Sequence, residues 1–369
     1  MKKRVLFVQD KLSYGGTTSL IMFITKKLSD KFTFDLFCYE DNDPNLEKEF
    51  LSFGGKIIKT NFHLNRRTRF GKIALYFFRI FGSFTRKFRR IIKKGNHYDY
   101  VHCFEEQLSA YYLKGAAKLH IPNRFIHFCN NHKEKRKTNF INSYLVKKEY
   151  AIINKYATKI LADGENSFSD LLVRNKRFLI PDPIDEKFAL STKTPSDFTL
   201  IQVGSICDNK NQKFSLEVFK NLLMMEPNAN LLLMGQNQDA SNPYFLEIKE
   251  FINENGLNDN VSFIKASPQV NEYFEKSSAM IFPSKKESFG LVLIEAQACG
   301  LHCFSSTAAS KGTNCGGVEY IELREGPSEW AKKIYASFKK GNCKKQQLDV
   351  TLYSAENVAR KFREVYESI

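Results

Sequence analysis

A chain of 369 residues is longer than one hydrophobic core usually organises, and 43% hydrophobic with 14% aromatic residues, 33 Phe among them, fills two ordinary domains and excludes a disordered chain. The eight cysteines, Cys38, Cys103, Cys129, Cys207, Cys299, Cys303, Cys315 and Cys343, are scattered with no C-x-x-C pair and no Cys/His cluster at zinc spacing, so they read as reduced cytosolic thiols. The net charge of +16 asks for an anionic partner, and nucleic acid, anionic lipid and phosphorylated substrates are the candidates.

After Met1-Lys2-Lys3-Arg4 the apolar run Val5 to Val8 stops at Gln9-Asp10, too short for a secretory signal. No run of about 18 apolar residues follows anywhere, so neither secretion nor a membrane span is expected. Strand-like runs at Arg4–Val8, Phe32–Tyr39, Lys56–Lys59, Asp99–Cys103, Arg124–Phe128, Thr158–Ala162 and Phe178–Ile180 alternate with helical stretches, the signature of parallel βαβ units. Gly15 and Gly16 follow the first strand, either as a plain turn or where backbone must approach a ligand. Asp41-Asn42-Asp43 spells a D-x-D, but it lies in an acidic turn before Pro44 and reads as turn chemistry rather than a metal site.

From Phe62 to Asn96 there are eleven Lys or Arg and no acid: Arg66, Arg67, Arg69, Lys72, Arg79, Arg86, Lys87, Arg89, Arg90, Lys93 and Lys94. Phe70, Phe77, Phe81, Phe84, Phe88 and Ile92 fall at helical spacings, giving one apolar and one cationic face. Two readings stand: the segment lies in an anionic lipid interface, with Arg86, Lys87, Arg89 and Arg90 on the charged face, or it packs on its own domain. No RNA- or DNA-binding motif accompanies the charge, and aromatics on an apolar face are poorly placed to stack on bases.

The stretch from Pro181 to Ser196 reads as a linker, so residues 1–187 form a first domain. A second domain, 196–350, restarts the alternation with strands at Phe198–Ile206, Asn230–Met234, Val261–Ile264, Ala279–Pro283 and His302–Ser305. The segment 355–369 is a last helix with Val358, Phe362 and Val365 on one face. The fold class is therefore α/β, two doubly wound Rossmann-like domains. Open sheets of this kind bind ligands at the carboxyl ends of their strands.

The strongest motif runs from Pro283 to Gly300, after a buried strand and into a helix that Gly300 ends. Glu287 and Glu295 stand eight apart, roughly 12 Å if both were helical, about the reach of a sugar, diphosphate and ribose. The amides of Ser288, Phe289, Gly290 and Leu291 near the helix start suit the diphosphate. The segment resembles the E-x7-E signature of family 4 glycosyltransferases, E-x-F-G-x4-E-A-x-A-x-G, at every named position.

That resemblance implies the GT-B fold, two domains facing a central cleft with the last helix crossing back to the first. It assigns Glu287 to hydroxyls of the donor sugar and Glu295 to the ribose. Val203-Gly204-Ser205-Ile206-Cys207-Asp208-Asn209-Lys210-Asn211 resembles V-G-R-x4-K-N, in which Arg and Lys neutralise the leaving diphosphate; Lys210 matches and Ser205 replaces the Arg, with Lys285 or Lys286 as substitutes. Lys11 to Gly16 resembles the N-terminal glycine loop. His127 resembles the first His of H-S-H-N and is either a donor-sugar contact or a structural hydrogen-bonder. Pro181 to Asp185 resembles P-N-G-I-D, at the end of the first domain. Met234-Gly235-Gln236 resembles the G-x-G loop, which with Lys265 borders the base.

The implied activity is retaining, metal-independent transfer of a hexose or N-acetylhexosamine, most often from a UDP-sugar, with no cofactor beyond the donor. The acceptor is lipid-linked or saccharide and the setting is bacterial capsule or exopolysaccharide synthesis, in the cytoplasm at the inner face of the membrane. The rival expectations are a sugar-nucleotide-binding partner that has lost catalysis, suggested by Ser205, and a nucleic-acid-binding protein.

Overall fold

The computed structural model describes residues 2–60, 83–93, 97–104, 108–129, 140–190 and 197–368. The chain divides into two units, Met1–Asp182 with Val358–Ile369 and Pro183–Asn357. The division therefore falls at the start of the Pro181–Ser196 stretch. Ile184 and Phe188 are buried in a core of the second unit, so this part of the stretch is packed rather than a free tether; residues 191–196 lie outside the described residues.

In the first unit the strands are β1 (Lys3–Val8), β2 (Phe32–Cys38), β3 (Ile57–Lys59), β4 (Tyr100–Cys103), β5 (Asn123–Phe128), β6 (Lys159–Ala162) and β7 (Arg177–Leu179). Among the described residues they form a parallel sheet in the order β3-β2-β1-β4-β5-β6-β7. The helices are α1 (Gly16–Leu28), α2 (Pro44–Ser52), α3 (Ser83–Ile92), α4 (Ser109–Lys118) and α5 (Phe140–Tyr156). Strand alternation sorts side chains into two layers: Leu6 and Val8 pack with α3, α4 and α5, while Val5 and Phe7 pack with α1 and the last helix. That last helix contributes Val358, Phe362, Val365 and Tyr366, its periodic apolar face, to the first unit. The Asp41-Asn42-Asp43 turn is used structurally: Asp43 caps α2 by accepting from the Asn45 and Leu46 amides, and Asn42 accepts from Leu12.

Helix α3 settles one of the two readings of the basic stretch for the residues it covers. Phe84, Phe88 and Ile92 are buried in the first unit's core, Phe88 against Tyr112 and so close to Gly115 that a Cβ there would sit 2.8 Å from its ring. Their apolar face is core and is not available to lipid. Arg86 and Arg90 are exposed, and Lys87 and Arg89 half-buried. The remainder of the segment, 62–82 and 94–96, lies outside the described residues.

Part of the charge has a structural use that composition does not reveal. Arg124 donates to the carbonyls of Tyr156 and Ile121, Lys176 to those of Asn154 and Ala157, Lys159 to those of Val365 and Ser368, and Arg363 to that of Lys27. Each cation meets orphan carbonyls at a helix C-terminus, where the helix dipole also favours it. No helix among the described residues is long and apolar enough to cross a membrane.

The second unit repeats the architecture with β8 (Thr199–Val203), β9 (Asn230–Gly235), β10 (Val261–Lys265), β11 (Ala279–Phe282), β12 (His302–Ser306) and β13 (Val318–Ile321), parallel in the order β10-β9-β8-β11-β12-β13. Its helices are α6 (Gln212–Leu223), α7 (Pro243–Glu254), α8 (Val270–Glu275), α9 (Leu291–Ala298) and α10 (Gly326–Lys339), followed by α11 (Ala355–Glu367), the last helix. Strand order reverses between β8 and β11, the position where such sheets bind ligands.

Candidate functional site

The loops that leave β8 and β11 meet at this reversal. After Val203 the chain turns through Gly204 and runs to Asn211, a left-handed residue that opens α6. Buried Gln202 donates to the Lys210 carbonyl, Gln212 to the Ser205 carbonyl, and Asn211 to the Pro283 carbonyl. The two loops are stitched directly: the Lys285 amide donates to the Asn209 carbonyl at 2.8 Å, and the Asn209 side chain to the Lys286 carbonyl at 3.1 Å. These bonds bring Lys210 Nζ to 2.5 Å from Glu287 Oε1, with the ammonium 5.2 Å from the Phe282 ring centroid.

Gly204 lines the Lys210 stem, since a Cβ there would stand 3.4 Å from three of its methylene carbons. At Gly235 a Cβ would overlap the Gly204 carbonyl oxygen, so glycine is required for β9 to pass the loop. Lys265 ends β10 in register with Gly235 and is exposed. Ser205 is half-buried in the place of the expected guanidinium. Lys285, one suggested substitute, pairs with Asp208 at 2.5 Å on the surface.

Helix α9 begins at Leu291, with Gly290 at φ 104 as its left-handed N-cap. Glu287 therefore lies in the turn before the helix and only Glu295 is helical. The Phe289 ring is buried in the core beside Tyr353, leaving its backbone rather than its side chain for a ligand. Ser288 and Leu291 are half-buried beside it. The Leu293 amide already bonds the Gly290 carbonyl, so the donors a helix start can offer an anion are those of Leu291 and Val292. Gly300, at φ 82, ends the helix.

Glu295 is half-buried, and burial pushes its carboxyl up to about 7; Lys187 opposes the shift and Asp185 adds to it. Both neighbours come from the segment after Pro183, and Lys187 is anchored on the Pro268 carbonyl. Sequence reading assigned Pro181–Asp185 to the domain end and did not place it beside Glu295. Gln297, two residues on, is fully buried and bonds the Leu293 and Thr313 carbonyls and the Cys315 and Gly317 amides. It ties α9 to the loop before β13, a role with no spelling in the sequence.

The first-unit residues stand differently. Gly15 and Gly16 lie at the carboxyl end of β1, where a Cβ on either would meet nothing within 4 Å. His127 is 1% exposed, its ring roughly parallel to those of His102 and Phe104 at 5.7 Å from each and near Phe362, with neither ring nitrogen hydrogen-bonded among the described residues. Burial pushes its pKa down to about 3, so the ring is neutral. Among the described residues the His127 ring is enclosed and makes no hydrogen bond.

Residues 183–312 match the family model of glycosyl transferases group 1. The chain is 24% identical to the putative glycosyltransferase EpsF of Bacillus subtilis, over 95% of this chain and 92% of that protein. It is 26% identical to the capsular polysaccharide biosynthesis glycosyltransferase CapH of Staphylococcus aureus, over 99% of both. Its fold is similar to that of Anabaena Alr3699/HepE, crystallised with UDP and glucose, at a TM-score of 0.72 and 14% identity over 99% of each chain.

Proposed function

We propose that this chain, a GT-B glycosyltransferase carrying a group 1 domain, moves a hexose or N-acetylhexosamine from a UDP-sugar to a lipid-linked or saccharide acceptor. The setting proposed is bacterial surface polysaccharide synthesis, the work named in the description of CapH. HepE supplies the analogy for the nucleotide.

The observation that carries the reading is the Lys210–Glu287 pair, held by two stitched loops beside the start of α9. An ammonium and the open amides of a helix start are two ways of meeting a diphosphate, and both lie where the strand order reverses. Glu287 takes hydroxyls of the donor sugar and Glu295 the ribose hydroxyls. Lys210 and the α9 amides stabilise the departing diphosphate, which also assists deprotonation of the acceptor. Transfer then proceeds with retention and without a metal. Arg86, Lys87, Arg89 and Arg90 draw the enzyme to the anionic inner face of the membrane, where a lipid-linked acceptor resides.

The test is transfer from a panel of UDP-, GDP-, ADP- and CDP-sugars to a polyprenyl-diphosphate-linked acceptor, with and without EDTA. Turnover with a UDP-sugar that survives EDTA is expected. Glu295→Gln should weaken UDP binding, because an amide accepts through one oxygen only, and Glu287→Gln should lower kcat more than affinity. Wild-type behaviour of both variants would refute the assignment, and loss of activity restored by Mg²⁺ or Mn²⁺ would refute the metal-free mechanism. Ser205, in place of a guanidinium, favours a second reading, a nucleotide-sugar-binding partner without turnover. UDP binding with no transfer from any donor would establish it.

A further inference from the structure

Helices α3 and α4 pack together and end near the amino ends of β4 and β5. Between them opens a cavity of about 400 Å³ whose rim carries Arg89, Lys93, His97, Lys118 and His120. Ile92 and Ile121 form part of its floor. Among the described residues, the side chains of Arg89, Lys93, Lys118 and His120 make no hydrogen bond or ion pair, and Arg89 Nε is buried without a partner. His97 Nε2 stands 3.9 Å from Asp99 Oδ1.

Four other cations of this unit are committed to backbone. Arg124, Lys159, Lys176 and Arg363 all bond helix C-terminal carbonyls. At this cavity that need is met by backbone: the amides of Leu119, His120 and Ile121 already bond the carbonyls of Gly115, Ala117 and Ala116, and the Lys93 amide that of Arg89. His120 closes α4 at φ 59, a left-handed position where glycine is the unstrained residue, yet it places an imidazole on the rim. Unpaired donors lining a space large enough for several water molecules are what an anion needs.

We infer that this cavity is a binding site for a phosphate-bearing ligand, held by Arg89, Lys93, Lys118 and His120. The site belongs to the first unit and does not depend on the donor chemistry proposed for the second. The phosphate comes either from a free phosphorylated molecule or from a phosphomonoester lipid headgroup.

Calorimetric titration of the full chain with inorganic pyrophosphate and with dihexanoyl phosphatidic acid below its micellar concentration tests this. Lys93→Gln/Lys118→Gln removes two rim cations, while Lys26→Gln/Lys48→Gln makes the same charge change on exposed residues of the first unit that do not line the cavity. The parent should bind, the rim variant about tenfold more weakly, and the control like the parent, since only charge-assisted hydrogen bonds in the cavity are lost. If the rim variant melts early, Lys118→Glu alone, at an exposed position, repeats the measurement. Tighter binding of the lipid than of pyrophosphate identifies a headgroup site, and equal or tighter pyrophosphate binding a site for a free anion. No binding of either probe by the parent, or equal weakening in rim variant and control, overturns the inference.

Discussion

Lys210 Nζ and Glu287 Oε1 stand 2.5 Å apart although 77 residues separate them in the chain, and both side chains are largely sheltered from water. In the free protein the cation proposed for the diphosphate is thus held by the carboxylate proposed for the sugar. Lys210→Met should lower stability by roughly 1–3 kcal/mol, because the Glu287 carboxylate loses its charged partner while still sheltered. Lys210→Met/Glu287→Gln should recover part of that loss without recovering turnover. Thermal melts of the two singles and the double give the coupling directly, and strictly additive losses would mean that the pair contributes nothing.

The ribose contact proposed for Glu295 predicts that nucleotide binding depends on pH. Its carboxyl is raised to about 7 in the folded chain against an ordinary value of 4.5. The folded state therefore holds this proton more tightly than the unfolded state, and the associated stability is present below about 4.5 and lost as pH rises toward 7. UDP affinity should run the other way, rising through about 7 as the carboxylate proposed for the ribose ionises. Titrations between pH 5.5 and 8.5 should show one proton released per UDP bound below the transition, and Glu295→Gln should flatten the profile.

The glycines separate into two kinds. Gly235→Ala places a methyl group on the Gly204 carbonyl oxygen, so the chain should lose about 1–3 kcal/mol and bind UDP more weakly as the 204–211 loop shifts. Gly15→Ala and Gly16→Ala enter open space and should change stability by no more than about 0.5 kcal/mol. A loss of transfer in either, with the melting temperature unchanged, would locate a substrate at that loop. Unchanged transfer would leave the loop a plain turn.

Vesicle binding should be electrostatic where α3 is concerned, because Phe84, Phe88 and Ile92 are buried in the core. Arg86, Lys87, Arg89 and Arg90 replaced by Gln should weaken binding to phosphatidylglycerol vesicles. Each engaged residue contributes on the order of 1 kcal/mol, so losing two costs roughly thirtyfold. Pelleting at rising salt measures this, and equal pelleting of parent and variant would remove these residues from membrane attachment.

What the sequence determined by itself was local and periodic. Alternating strand and helix patterns set two parallel sheets, the 358–362–365 stripe set a helix with one face to bury, and the 283–300 spelling marked a strand, a turn and a glycine-ended helix. These are legible because pleat, helical turn and left-handed glycine each act over a few residues. Tertiary structure alone decided the partners. It put Glu287 against Lys210, brought Lys187 and Asp185 to Glu295, and closed His127 inside a core where no nitrogen finds a donor or acceptor among the described residues. It also set some cations on helix-terminal carbonyls and others around a cavity, which one net charge cannot distinguish. Burial and pairing arise from chain segments far apart in sequence, so no local pattern records them.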